Sequence, residues 1–351
     1  MKYLNKIYFG SAGTGKTREA INQAEKIVNS KLEQPKTFKE LSTKEKNYIS
    51  DMEMKLFRLE TTLKKPSENT NFINQTEDLN KLKAYPLIDF VTFHPSYSYQ
   101  DFIEGIRIND KGGYEIQDGI FKKIVNRALK NPNFNYVLII DEINRGDISA
   151  IFGEFFTLLE DSRRVGEKES IEISLPYSKT EKLKVPKNLY VLATMNTVDK
   201  SIALIDIALR RRFEFEEIKP KPELLGKIGT VELSKLLDKI NQRISVLKNE
   251  NYQIGHSYFM NLKNFDDLRQ VMISKIIPLL QEYFYDDWKS VCAVLNQSFK
   301  KGGEILVKTE SSNNLFKDEF SELLEFSNSA IFSVNQNFSE FDVIQIYKYA
   351  K

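Results

Sequence analysis

Gly10-Ser11-Ala12-Gly13-Thr14-Gly15-Lys16-Thr17 is the stretch from which the fold is read. It satisfies GxxxxGK[ST] and stands between a β-prone run, Tyr3-Leu4-Asn5-Lys6-Ile7-Tyr8-Phe9, and a helical pattern over residues 17–29. Strand, glycine-rich loop and helix in that order form the context in which this pattern has chemical meaning. The glycines let backbone N–H groups turn inward around a β-phosphate at a helix N-terminus, where the dipole also favours an anion. Lys16 is expected to reach the β- and γ-phosphates, and Thr17 to offer a hydroxyl to Mg²⁺. The bland alternative is a chance glycine-rich turn.

Further along, Tyr136-Val137-Leu138-Ile139-Ile140 is apolar on both faces, as a central strand of a parallel sheet requires, and it closes on Asp141-Glu142. Ligands of such sheets sit at the carboxyl ends of strands. Asp141 is therefore expected to hold the magnesium shell together with Thr17, and Glu142 to orient and activate the attacking water. An acidic helix N-cap is the plain alternative. Another buried-type run, residues 189–194, leads into Met195-Asn196, so that Asn196 at the strand tip can touch a γ-phosphate or the lytic water, with a plain Asn-containing turn as the alternative. Arg210-Arg211-Arg212 come after a short helical stretch at 202–209. An arginine offered across a subunit boundary stabilises transition-state charge, worth about 10³–10⁵ in rate. A solvated basic helix end is the competing account.

Alternating strands and helices around these motifs predict an α/β fold with a doubly wound parallel sheet. Residues 30–85, rich in Lys, Glu, Asn and Thr, read as a charged helical insert in a nucleotide-binding core spanning 1–220. Ile148, Ile151, Phe152, Phe155 and Leu159 are spaced as the core-facing stripe of one helix. The aromatic segment 93–102 could be a stacking surface for nucleic acid, yet no Lys or Arg comes before Arg107, and it is read as core and subunit packing. Beyond Pro220 and Pro222 the pattern turns helical, near 233–247 and 268–283, which sets a helical lid domain at 221–300 and leaves 301–351 as an extension of unclear structure.

Bulk properties narrow the class. The 351 residues, 41% hydrophobic and 28% charged, suit a water-soluble two-domain protein. Lys and Arg total 51 against 49 acidic residues, and the net charge of +2 provides no global footprint for a nucleic-acid backbone. The single cysteine, Cys292, excludes an intrachain disulfide. No apolar run of about 18 residues suggests a membrane span, so the cytoplasm is the expected compartment.

Five segments in order carry a more specific likeness. They are Phe93-His94-Pro95-Ser96-Tyr97-Ser98-Tyr99-Gln100-Asp101-Phe102-Ile103-Glu104-Gly105, Asp141-Glu142-Ile143-Asn144-Arg145-Gly146, Met195-Asn196-Thr197-Val198-Asp199, Ala208-Leu209-Arg210-Arg211-Arg212-Phe213 and Gly255-His256-Ser257-Tyr258-Phe259. Together they resemble the McrB-type AAA+ motor subunits of modified-cytosine restriction systems, over about residues 7–288. The resemblance implies an AAA+ P-loop core with a helical lid, a GTP-hydrolysing hexameric ring, an McrC-like nuclease partner, and DNA engaged through the assembled complex. It makes Gly10 to Thr17 the Walker A loop and Asp141 and Glu142 the Walker B pair. Asn196 becomes the signature asparagine, and Arg211 and Arg212 act in trans. The family signature reads MNxxDR, whereas position 200 is Lys here, which removes a planar bidentate donor. Because the loop begins ten residues from Met1, no separate N-terminal DNA-reading domain is expected in this chain. Two other readings remain: an ATP-driven remodelling factor resembling MoxR or dynein-type modules, and a nucleotide-gated assembly scaffold.

Overall fold

Val137, Leu138, Ile139 and Ile140 are all fully buried, because the strand that contains them is covered on both faces. This strand is β3, Tyr136–Asp141, in a computed structural model that describes residues 4–30, 87–198, 207–308 and 332–348. With β1 (Asn5–Gly10), β2 (Ile88–Thr92), β4 (Leu189–Asn196) and β5 (Glu214–Glu217) it forms a five-stranded sheet in the order β2-β3-β4-β1-β5. The pairs β2·β3, β3·β4 and β1·β5 are parallel. By internal contacts the chain divides into two compact units, Met1–Phe9 with Lys16–Glu217, and Gly10–Gly15 with Ile218–Lys351.

In the first unit, α1 (Lys16–Asn29) buries Ala20, Ile21, Ala24, Ile27 and Val28, and α2 (Ile120–Lys130) buries Phe121, Ile124, Val125 and Ala128. Both sets have helical spacing and make a single apolar stripe. Asn135 donates its amide N–H to the carbonyl of Ile27 at 2.9 Å, which satisfies one of the carbonyls left open at the end of α1. The two ends of the aromatic segment are core and the residues between them are not: Phe93 and Phe102 are fully buried, with the Phe102 ring 4.6 Å from that of Phe152 and 5.1 Å from that of Phe121, whereas His94, Pro95, Ser96 and Gln100 are exposed.

One expected helix is broken. The stripe from Ile148 to Leu159 divides into α3 (Ile148–Phe152) and a 3₁₀ stretch, Gly153–Leu159. Gly153 has φ +52°, a conformation that a side chain resists, and a Cβ there would stand 3.1 Å from the Tyr99 ring. Ile151, Phe152, Phe155 and Leu159 remain buried despite the break. The three arginines also differ from expectation, since they lie inside α4 (Ile207–Arg212) and not after it. The rest of the stretch read as 202–209, the signature residues Asp199 and Lys200, the bulk of the insert at 31–86, and 309–331 fall outside the described residues.

Two buried charges tie the first unit together. Arg164 is fully buried and donates to Asn5 Oδ1 at 2.8 Å and to the carbonyls of Pro186 and Leu189, each at 3.3 Å. Burial brings its guanidinium down to about 10, with Asp161 partly opposing, so it keeps its charge at neutral pH. Glu104, also fully buried, accepts from the N–H groups of Tyr177 and Ser178, the Ser178 hydroxyl and Lys122 Nζ at 2.7–3.0 Å. Lys122 in turn reaches Asp118 at 2.7 Å and Glu181 at 2.8 Å.

Burial alone would push Glu104 up, but the Ser178, Lys122 and Tyr177 donors hold it below the ordinary glutamate value. A carboxylate lowered on folding contributes stability above its unfolded pKa and loses it as pH falls through the folded value. Glu104→Gln should therefore cost about 3 kcal/mol at neutral pH, the low end for a broken buried pair, because Lys122 keeps its other two partners. Denaturant titration should show the gap to the parent closing below about pH 4. A gap that persists unchanged into acid would contradict the assignment.

The second unit is built on α5, Leu233–Leu247, which buries Leu233, Leu236, Leu237, Ile240, Asn241 and Ile244. Helix Phe265–Val271 runs through a π-helical turn, Met272–Ile276, into helix Ile277–Phe284. Pro278 lacks an N–H and crowds the carbonyl one turn back, so a widened turn ahead of it is the expected response. The extension beyond 300 is structured where described. Strand Leu306–Lys308 pairs antiparallel with Phe332–Val334, and helix Glu340–Tyr347 places Glu340 Oε2 at 2.9 Å from the N–H of Thr230.

Candidate functional site

Two strand ends and a helix start converge on one carboxylate in the first unit. Ile140 pairs with Ala193, so Asp141 at the end of β3 stands beside Thr194 on β4. Asp141 Oδ1 accepts from the hydroxyl of Thr194 at 2.6 Å and from that of Thr17, in the first turn of α1, at 2.9 Å. Glu142 then turns into the left-handed region at φ +54°, and its N–H donates to Thr194 Oγ1 at 3.1 Å. Its Oε1 accepts from Asn196 Nδ2 at 2.6 Å, and its Oε2 lies 3.4 Å from Arg145 Nε. The structure thus brings Thr17, Asp141, Glu142 and Asn196 into one hydrogen-bonded group, while Lys16, the preceding residue of α1, is buried.

Within the second unit, the loop Gly10–Gly15 is held by the Gly255-His256-Ser257 segment. The N–H of Gly255 donates to the carbonyl of Ala12, and that of Ser257 to the carbonyl of Gly13, both at 3.0 Å. Thr14 Oγ1 donates to the carbonyl of Ser11 at 3.0 Å, closing the loop on itself. Asn241, buried on α5, positions the clamp: its Nδ2 donates to the carbonyl of Ile254 at 2.9 Å, and its Oδ1 accepts the Ile254 N–H at 2.7 Å. A Cβ at position 255 would fall 2.0 Å from the carbonyl of Gly13. Gly255→Ala must displace the loop at a cost of about 1–3 kcal/mol, about 5- to 150-fold in affinity for a nucleotide. Nucleotide titration checks this, and an unchanged affinity would show that the clamp does not shape the loop for binding.

The arginines separate by environment. Arg211 is exposed on α4. Arg212 is engaged inside its own chain, with Nη2 at 2.7 Å from Glu160 Oε1 and its guanidinium carbon 4.6 Å from the centre of the Phe156 ring. Thr194, Arg145 and Asn241 were not singled out from the sequence. A hydroxyl ending an apolar strand and an amide on the apolar stripe of a helix were the signals available.

Residues 87–213 match a family model for the AAA domain of the dynein-related subfamily, and residues 232–292 match that for the McrB alpha-helical lid domain. Over 225 residues the chain is 38% identical to the type IV methyl-directed restriction enzyme EcoKMcrB subunit of Escherichia coli, covering 58% of this chain and 49% of that one. The chain carries an AAA domain followed by an McrB-type lid. This AAA+ chain is also 25% identical over 272 residues to the type II restriction enzyme BsuMI component YdiS of Bacillus subtilis, covering 64% of itself and 78% of that protein. It spans about half the length of the Escherichia coli relative. Among the described residues, no helix is long and apolar enough to cross a membrane.

Proposed function

We propose that the chain is a magnesium-dependent nucleoside triphosphatase, using GTP, that assembles into a hexameric ring and drives an McrC-like nuclease partner in restricting foreign DNA. The observation that carries this reading is the coupled group Thr17–Asp141 and Glu142–Asn196 at the carboxyl ends of β3 and β4. GTP, the ring, the partner and DNA contact through the assembled complex rest on the family resemblance. Both relatives are named as restriction-enzyme components, which supports the setting in defence.

The oxygen donors fit magnesium. A hydroxyl and a carboxylate from the protein, Thr17 and Asp141, stand within 2.9 Å of each other. Among the described residues there is no cluster of three or more His, Cys, Asp or Glu side chains able to hold a metal alone. That suits an ion which keeps waters and phosphate oxygens and takes few protein ligands. Bound there, magnesium would neutralise charge on the β- and γ-phosphates. Lys16 would bind the same phosphates, and the amides of Gly10 to Gly15 would cradle them. The Glu142 carboxylate would accept a proton from the attacking water, with Asn196 holding Oε1 and fixing the carboxylate plane.

The AAA match to the dynein-related subfamily favours the second reading, an ATP-driven remodelling factor acting on protein complexes. Turnover of GTP and of ATP, each with magnesium and with a chelator in its place, separates the two. We expect GTP turnover that stops when magnesium is withdrawn. If neither nucleotide binds in the presence of magnesium, the triphosphatase reading falls.

A further inference from the structure

Thr194 lies at the end of an apolar strand where a valine would fill the same space. It is almost fully buried, between Ala193 and Met195 on β4. A hydroxyl in such a place costs stability unless it is hydrogen-bonded. Here it does two things at once. It donates to Asp141 Oδ1 at 2.6 Å, and it accepts the N–H of Glu142 at 3.1 Å.

The second bond bears on backbone conformation. Glu142 occupies φ +54°, where a residue with a Cβ is disfavoured and stays only when its surroundings hold it. The Thr194 oxygen is the described partner of the N–H in that turn, and the turn aims the side chain so that Oε1 meets Asn196 at 2.6 Å. The first bond bears on the other acid. Thr194 and Thr17 both donate to the same carboxylate oxygen, Asp141 Oδ1, so together they set the plane of that carboxylate. Donating its hydrogen to Asp141 also turns the lone pairs of the Thr17 oxygen away from it.

We propose that Thr194 is a positioning residue for hydrolysis, setting through one hydroxyl both the carboxylate of Asp141 and the left-handed turn of Glu142. The proposal rests on the triphosphatase reading above. Its specific content is that the hydroxyl, and not the branched shape of the side chain, governs the rate.

The test compares Thr194→Val, which keeps the shape, with Thr194→Ser, which keeps the hydroxyl, in the full chain. For each, nucleotide affinity, kcat, KM and the magnesium concentration giving half-maximal rate are measured with GTP and with ATP, alongside the thermal midpoint. Thr194→Val should bind nucleotide nearly as the parent does, lose about 10–100-fold in kcat and need more magnesium. Thr194→Ser should recover most of both. Equal impairment of the two variants would assign the effect to shape and overturn the proposal, as would parental kcat and magnesium dependence in Thr194→Val. If Thr194→Val does not fold, Thr194→Ala carries the same expectation, and a parental rate in it overturns the proposal. A parent that binds nucleotide yet hydrolyses none removes the triphosphatase reading and the role of Thr194 together, whereas a defect or its absence in Thr194→Val against an active parent concerns Thr194 alone.

Discussion

Glu142→Gln is expected to reduce turnover by about 10²–10⁴-fold, the usual share of a positioned general base, while nucleotide still binds. Glutamine keeps the length and shape of the side chain, and its amide oxygen can still accept from Asn196, whose Nδ2 lies 2.6 Å from Glu142 Oε1. What disappears is the capacity to take a proton from water. The pair proposed to hold magnesium, Thr17 with Asp141, is untouched, so the apparent affinity for magnesium and nucleotide should stay close to that of the parent. Steady-state turnover together with nucleotide titration distinguishes the two effects. Turnover at the parental rate would remove Glu142 from its catalytic place, whatever its geometry.

The second large effect depends on assembly. Arg211→Ala should lower turnover by about 10³-fold or more when the subunits are associated, the scale for an arginine acting on the transferred phosphoryl group. The structure favours Arg211 over Arg212 for this duty. Arg212 is bound to Glu160 at 2.7 Å and lies over Phe156, whereas Arg211 is exposed. Arg212→Ala should accordingly show itself in the thermal midpoint of the isolated chain. Mixing Arg211→Ala with Lys16→Ala subunits pairs an intact loop in one with an intact arginine in the other. Recovery of part of the activity is expected, and its absence would count against a site completed by a neighbour.

The candidate group was legible as a set of positions, because the residue types that the proposed tasks need stand at strand ends that hydropathy alone locates. Asp141 closes an apolar run, Asn196 closes the next, and each was placed by counting from its strand. Thr194 was passed over because a threonine at the end of a β-strand is ordinary in composition. Only the register, Ile140 beside Ala193, shows that its hydroxyl meets both acids. The break in the helix after Phe152 was hidden by the periodicity of its buried residues, which a 3₁₀ turn preserves closely enough over seven positions. In the C-terminal extension a three-residue strand pair joins segments on either side of 309–331, a separation that no local pattern reports. Asn241 was missed for a related reason. A single polar residue on an apolar stripe looks like noise until its partner, Ile254, is seen to be the neighbour of the glycine that clamps the loop.

That amide on α5 has a thermodynamic corollary. A glycine-rich turn left to itself would sample many shapes and surrender that freedom on meeting an anion. Here the turn is already pinned through Ala12 and Gly13 by Gly255 and Ser257, themselves aligned by Asn241. The disorder is removed when the protein folds, so a guest arriving at the loop finds its shape prepared and gives up little affinity to ordering it.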